Sequence, residues 1–167
     1  GARAGALAAL AAAHRRDAAR EPHDGPEAVL AYVRASAVPL TLFAAEAVET
    51  GGFTPPDPRG IFSQERPAGG VGAAITAQAE GVGLMAWLAA LPALQGLGLG
   101  LWDPSPEALG RIADLARARL AEAKGLRREV PRRLAPVLFA GAAVRSVLAA
   151  APRGIEDLAA AQPSEFR

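Results

Sequence analysis

The sequence predicts an all-α helical bundle, and three observations carry the prediction. Alanine, the strongest helix former, supplies 42 of the 167 residues, while Thr supplies only four. Apolar residues recur at three- and four-residue spacing in several segments, and no segment reads convincingly as a strand. Well-formed helix starts also stand in place, with Asp24 or Gly25 as a cap ahead of Pro26 and Ser105 ahead of Pro106 and Glu107. The length fits one domain, read over residues 1–167.

Composition also excludes whole classes of function. With no Cys there is no disulfide framework, no thiolate metal site and no cysteine nucleophile. A formal charge of +1 gives no reason to expect a nucleic-acid partner. The dominance of Arg over Lys and the lack of Asn fit a GC-rich genome better than a function.

Residues Ala2 to Arg20 read as a helix with Leu7 and Leu10 on one face, ending before Pro22. Its arginines, Arg3, Arg15, Arg16 and Arg20, against one acid, Asp17, also resemble an organellar transit peptide. The start at Gly1 rather than Met suggests a processed or trimmed piece of a longer chain. The next helix is expected from Pro26 to about Thr50, kinked or divided near Val38 by Pro39 and stopped by Gly51 and Gly52. Phe53 to Gly70, rich in Pro and Gly, is expected to be a long loop. From Val71 to about Leu94 the chain is most apolar, with Glu80 its only charge. Gly81 to Trp102 lacks any charge, and it is expected to be a buried central helix rather than a membrane span, because Gly81, Gly83, Pro92 and the glycines near Leu97 break it up.

The helix from Ser105 to Lys124 is amphipathic, with Leu109, Ile112, Ala113, Ala116, Leu120 and Ala123 on one face, and Gly125 is expected to end it. Glu107 and Arg111 form an expected (i, i+4) pair. Pro131 opens a helix expected to reach about Ala151, with Leu134, Leu138 and Leu148 as its stripe. Arg145 falls on that stripe and needs a partner, for which Glu80 is the expected choice. Gly154 to Ala161 forms a short last helix.

The residues that could carry chemistry are few. His14 and His23 lack acidic companions at metal-ligand spacing and read as structural or surface residues. No Gly-rich nucleotide cradle and no Gly-x-Ser-x-Gly elbow is present. Three acid pairs stand at helical spacing: Asp17 and Glu21, Glu46 and Glu49, Asp103 and Glu107. The last is explained by helix capping, and the second is expected in water before Gly51.

Three stretches resemble the squalene/phytoene synthase family. They are Tyr32 to Val38, Ala79 to Leu88, and Arg132-Arg133-Leu134-Ala135-Pro136, with the closing Pro163 to Arg167 also similar. The resemblance implies a helical bundle of the isoprenoid-synthase type lacking its N-terminal helices, since it covers about two-thirds of a family domain. Enzymes of the family hold magnesium on two aspartate-rich helices. Where the second would fall, this chain has Gly83, Met85, Ala86, Ala89 and Ala90, none of which can bind a metal. The resemblance therefore points to the family's non-catalytic branch, which includes a mitochondrial assembly factor for respiratory complex I.

It implies a scaffold or subunit with protein partners in a larger complex, peripheral to a membrane, in the mitochondrial matrix or a bacterial cytoplasm, and with no cofactor. Its expected contact residues are Phe53, Ile61, Phe62 and Trp102. Met85, Trp87 and Leu88 are read as core in preference to pocket lining. The alternative is a prenyl-diphosphate transferase completed by an N-terminal part, with Asp17 and Glu21 facing magnesium and diphosphate beside Arg15, Arg16 and Arg20. A third reading makes Gly81 to Trp102 a membrane-spanning segment.

Overall fold

A computed structural model describes residues 2–49, 70–138 and 144–161 of the chain. Their regular secondary structure is helical, with no strand among them. Their α-helices are α1 (Ala2–Ala19), α2 (Pro26–Glu49), α3 (Val71–Gly96), α4 (Pro106–Leu126), α5 (Ala135–Leu138), α6 (Val144–Ala150) and α7 (Ile155–Ala160). Three 3-10 turns, Arg127–Glu129, Arg132–Leu134 and Ala151–Arg153, link the later helices. Of the loop expected from Phe53 to Gly70, all but Gly70 lies outside the described residues, as does the expected stop at Gly51 and Gly52.

α1 has no sided apolar pattern and buries little, with Leu7 exposed and Ala13 buried. It closes in a Schellman arrangement: the Glu21 N–H donates to the Arg16 carbonyl and the Arg20 N–H to the Asp17 carbonyl. Arg20 takes the left-handed conformation there, at φ 54°, where glycine is the usual occupant.

α2 stays one helix through Pro39, so of the kink or division expected there the division does not occur. Packing on both sides of the proline explains this, since Val29 and Val33 join the main core and Ala45 joins a second, smaller cluster with Ile75 and Leu134. α3 is the central helix. Leu84, Leu88 and Leu91 on it are fully buried against Leu109 and Ile112 of α4 and Leu158 of α7. The glycines of α3 act as points of close approach rather than as breaks. A Cβ on Gly81 would stand 2.7 Å from Leu120 Cγ, and one on Gly83 would stand 2.5 Å from Val33 Cγ1. Small residues at these two positions let α4 and α2 lie against α3.

α4 begins as the sequence requires: the Ser105 Oγ accepts from the Ala108 N–H, and Pro106 takes the first turn. Leu109, Ile112, Ala113, Ala116 and Ala123 are buried along its inner face. Gly125 does not end it; the helix runs to Leu126 and tightens into the first 3-10 turn. The expected (i, i+4) pair is also replaced, because Arg111 reaches across to Glu27 at 3.5 Å. After Pro131 the chain makes the 3-10 turn Arg132–Leu134 before α5 begins, and residues 139–143 of the helix expected to reach about Ala151 lie outside the described residues. Leu134 and Leu148 of the expected stripe are buried; the side chain of Leu138 is outside the described residues.

α2 and α3 are each long and apolar enough to cross a membrane. In α3, however, 61% of the most apolar window is buried inside the protein, as the central helix of a bundle requires. The uncharged run from Gly81 does not continue as one helix to Trp102, since α3 ends at Gly96 and turns at Gly98, φ 74°.

Candidate functional site

Among the described residues three places stand out: a histidine node between α1, α2 and α3, a carboxylate between α2, α3 and α4, and the corner between α3 and α4.

The node is built around the Glu21–Gly25 connection. His23 lies within it, 2% exposed, paired with Leu101 in an isolated parallel bridge. Its N–H donates to the Gly100 carbonyl at 2.8 Å, and its carbonyl accepts from the Trp102 N–H at 3.1 Å. The imidazole meets Tyr32 and Trp87 edge-on, with ring centroids 5.0 and 5.6 Å away. Its Nδ1 is buried without a hydrogen-bond partner. Burial, and next the Arg16 charge, pull the His23 pKa below 6.5, against the opposing pull of Asp17 and Asp24. The ring is neutral at physiological pH.

Asp17 stands beside it. Its Oδ2 accepts from the Tyr32 hydroxyl at 2.9 Å and lies 3.1 Å from His14 Nδ1. Burial, the hydrogen bond to Asp17 and the Asp17 charge push the Tyr32 phenol up to about 12, so it serves as a donor and not as a base. Glu21 is exposed at the end of the turn. The Arg16 guanidinium is turned to the backbone, donating to the Pro22 carbonyl at 2.8 Å and the Glu21 carbonyl at 3.4 Å. Arg15 and Arg20 are exposed. Among the described residues no three His, Asp or Glu side chains gather closely enough to hold a metal ion.

The carboxylate is Glu80, 4% exposed on α3. Its expected partner was Arg145, and the structure corrects this. Arg34 from α2 donates through Nε to Oε1 at 2.7 Å and through Nη2 to Oε2 at 3.3 Å. Arg119 from α4 adds its Nε at 2.9 Å from Oε2. Hydrogen bonding to Glu80 raises the Arg34 pKa further. Arg145 is exposed at the start of α6, whose buried positions are Val147, Leu148 and Ala150. Glu46, expected in water, is 7% exposed beside the smaller apolar cluster.

The positions matching the aspartate-rich helix divide between two environments. Met85 is buried, Gly83 faces Val33, Ala89 is half-buried, and Ala86 and Ala90 are exposed. Trp87 and Leu88 belong to the core, as the sequence reading has them.

The corner holds Leu97, 56% exposed, and Trp102, 70% exposed. Its backbone is fixed. The Gln95 amide donates to the Leu101 carbonyl at 2.9 Å and accepts from the Leu101 N–H at 3.0 Å. A Cβ on Gly100 would meet the amide end of the Gln95 side chain, so glycine leaves room for this clamp. Of the expected contact residues, Trp102 is thus placed in solvent, while Phe53, Ile61 and Phe62 lie outside the described residues. Sequence reasoning missed the node because Leu101 lies far along the chain from His23.

Comparison with protein-family models, with curated proteins and with solved structures finds no match to this chain.

Proposed function

We propose that this chain is a non-catalytic bundle of the isoprenoid-synthase type, acting through protein contacts as a subunit or assembly factor of a larger, membrane-associated complex. The observation that carries the reading is Trp102, an exposed indole on a corner whose backbone is clamped by Gln95 and by the bridge to His23. Large aromatics held rigidly in solvent lose little entropy on docking, and tryptophan dominates the energetics of many interfaces. Leu97 in the same turn extends the apolar surface. The resemblance of Tyr32–Val38 and Ala79–Leu88 to the squalene/phytoene synthase family supplies the rest, with Gly and Ala where magnesium would need carboxylates. Peripheral attachment, in the mitochondrial matrix or a bacterial cytoplasm, follows from that same resemblance.

The enzyme alternative asks Asp17 to face magnesium, but its Oδ2 is already engaged by Tyr32 and His14. Calorimetric titration with farnesyl diphosphate, with and without magnesium, separates the two readings. The scaffold reading expects no magnesium-dependent heat. A magnesium-dependent isotherm abolished by Asp17→Asn would overturn it.

A further inference from the structure

The Glu21–Gly25 connection is tied to the α3–α4 corner by two backbone hydrogen bonds, and both belong to one residue. The His23 N–H donates to the Gly100 carbonyl at 2.8 Å, and the His23 carbonyl accepts from the Trp102 N–H at 3.1 Å. Two such bonds contribute little on their own, since water replaces them when they open. What holds them is the imidazole, 2% exposed and packed edge-on against Tyr32 of α2 and Trp87 of α3. The ring is the plug, and the connection to Trp102 depends on it.

A phenyl ring would fill the same pocket at no polar cost, whereas His23 leaves Nδ1 buried with no hydrogen-bond partner among the described residues. The groups facing the ring offer a second proton no place. From α1 come Arg16, which adds positive charge beside the ring, and Asp17, whose Oδ2 accepts from the Tyr32 hydroxyl at 2.9 Å and lies 3.1 Å from His14 Nδ1. From α2 comes Tyr32, a donor whose phenol is pushed up to about 12. α3 presents Trp87, and the corner presents Gly100, Leu101 and Trp102, all without a titratable group. Asp24, next along the connection, acts on the ring from an exposed position. A charged imidazole is therefore hydrated and paired only by leaving the pocket, toward water and Asp24.

We infer that His23 is a proton-controlled latch on the Trp102 corner: the neutral ring locks the Glu21–Gly25 connection to Gly100 and Trp102, and protonation releases that lock while the helical core stays folded. At physiological pH the latch is closed, because burial, and next the Arg16 charge, hold the folded ring below its ordinary 6.5. As pH falls below 6.5 the open form takes the proton first. Its population then rises by up to about tenfold per pH unit, until the lowered value of the closed form is reached. The latch stands without any partner. Its consequence for docking, that acid loosens the mounting of Trp102, rests on the scaffold reading.

The test is amide hydrogen exchange of the 167-residue chain, followed by NMR at about pH 7.5 and about pH 5.5 and expressed as protection factors. Protection of the His23 and Trp102 amides is expected to fall by about three- to tenfold on acidification. At the lower pH it is expected to stand about tenfold or more beneath that of Leu88 and Ile112 in the core, the mark of a local opening. His23→Phe, and His23→Gln as a second variant without a titrating ring, are expected to abolish the fall. His14→Gln, which removes the chain's other histidine, is expected to keep it within about twofold, as an exposed side chain should. Exchange of the His23 and Trp102 amides at the same rate as Leu88 and Ile112 would show that the connection opens only with the whole fold and would overturn the latch. A fall that persists in both His23 variants, or no fall in the parent, overturns it equally. Because the chain is measured alone, failure here leaves the scaffold reading standing, and failure of Trp102 to dock leaves the latch standing.

Discussion

A buried imidazole with an unpartnered nitrogen, as at His23, ties the stability of this fold to pH. Burial lowers its pKa in the folded chain, so the unfolded chain binds the proton first as pH falls. The contribution is complete above the unfolded value of 6.5 and is lost as pH drops from there toward the lowered folded value. His23→Phe keeps an edge-on aromatic against Tyr32 and Trp87 and removes the titrating group. Urea unfolding midpoints at about pH 7.5 and about pH 5.5 are expected to fall between the two conditions for the parent and to fall less for the variant. An equal fall in both proteins would place the acid sensitivity elsewhere.

At the scale of the elements, Glu80 and Gly81 are neighbours on α3 that hold its partners by different means. Glu80 joins α2 and α4 through Arg34 and Arg119. Because those arginines are 49% and 32% exposed, water relieves part of the cost of stranding them. Glu80→Gln is expected to cost about 1–3 kcal/mol, below the range for a fully buried pair and above that of the exposed Arg117–Asp114 bridge. Gly81→Val would drive branched methyls into Leu120 and is expected to cost about 1–3 kcal/mol in the same denaturation assay. Gly125→Ala in α4, where a Cβ meets nothing within 4 Å, is expected to gain about 0.5–1 kcal/mol from helix propensity.

These same elements show what a sequence can and cannot disclose. The cap at Ser105 and the inner face of α4 were legible, since both depend on residues a few positions apart. The glycines of α3 read as breaks, because the neighbours that require them, Leu120 and Val33, come from other helices. Likewise, periodicity gave Glu80 a cationic partner but could not choose it: Arg34 and Arg119 reach it from other helices, while Arg145 is exposed. For the candidate site, Trp102 was legible as an apolar residue after a turn. The His23 bridge that fixes it was not, because it joins residues far apart in the chain.

On the scale of the whole molecule, α3 and α4 pack antiparallel, as the Gly81–Leu120 approach and the short link between them require. The Leu97–Trp102 corner therefore sits at one end of this pair and Lys124, in the last turn of α4, at the other. The measurement that bears most directly on the scaffold reading is native-size separation of detergent extracts from the source membranes, following the chain and its Trp102→Ala variant. The parent is expected to migrate within a large assembly and the variant, still folded, to shift largely to free monomer. Migration of the parent as a free monomer, or of both proteins at one identical size, would contradict the account.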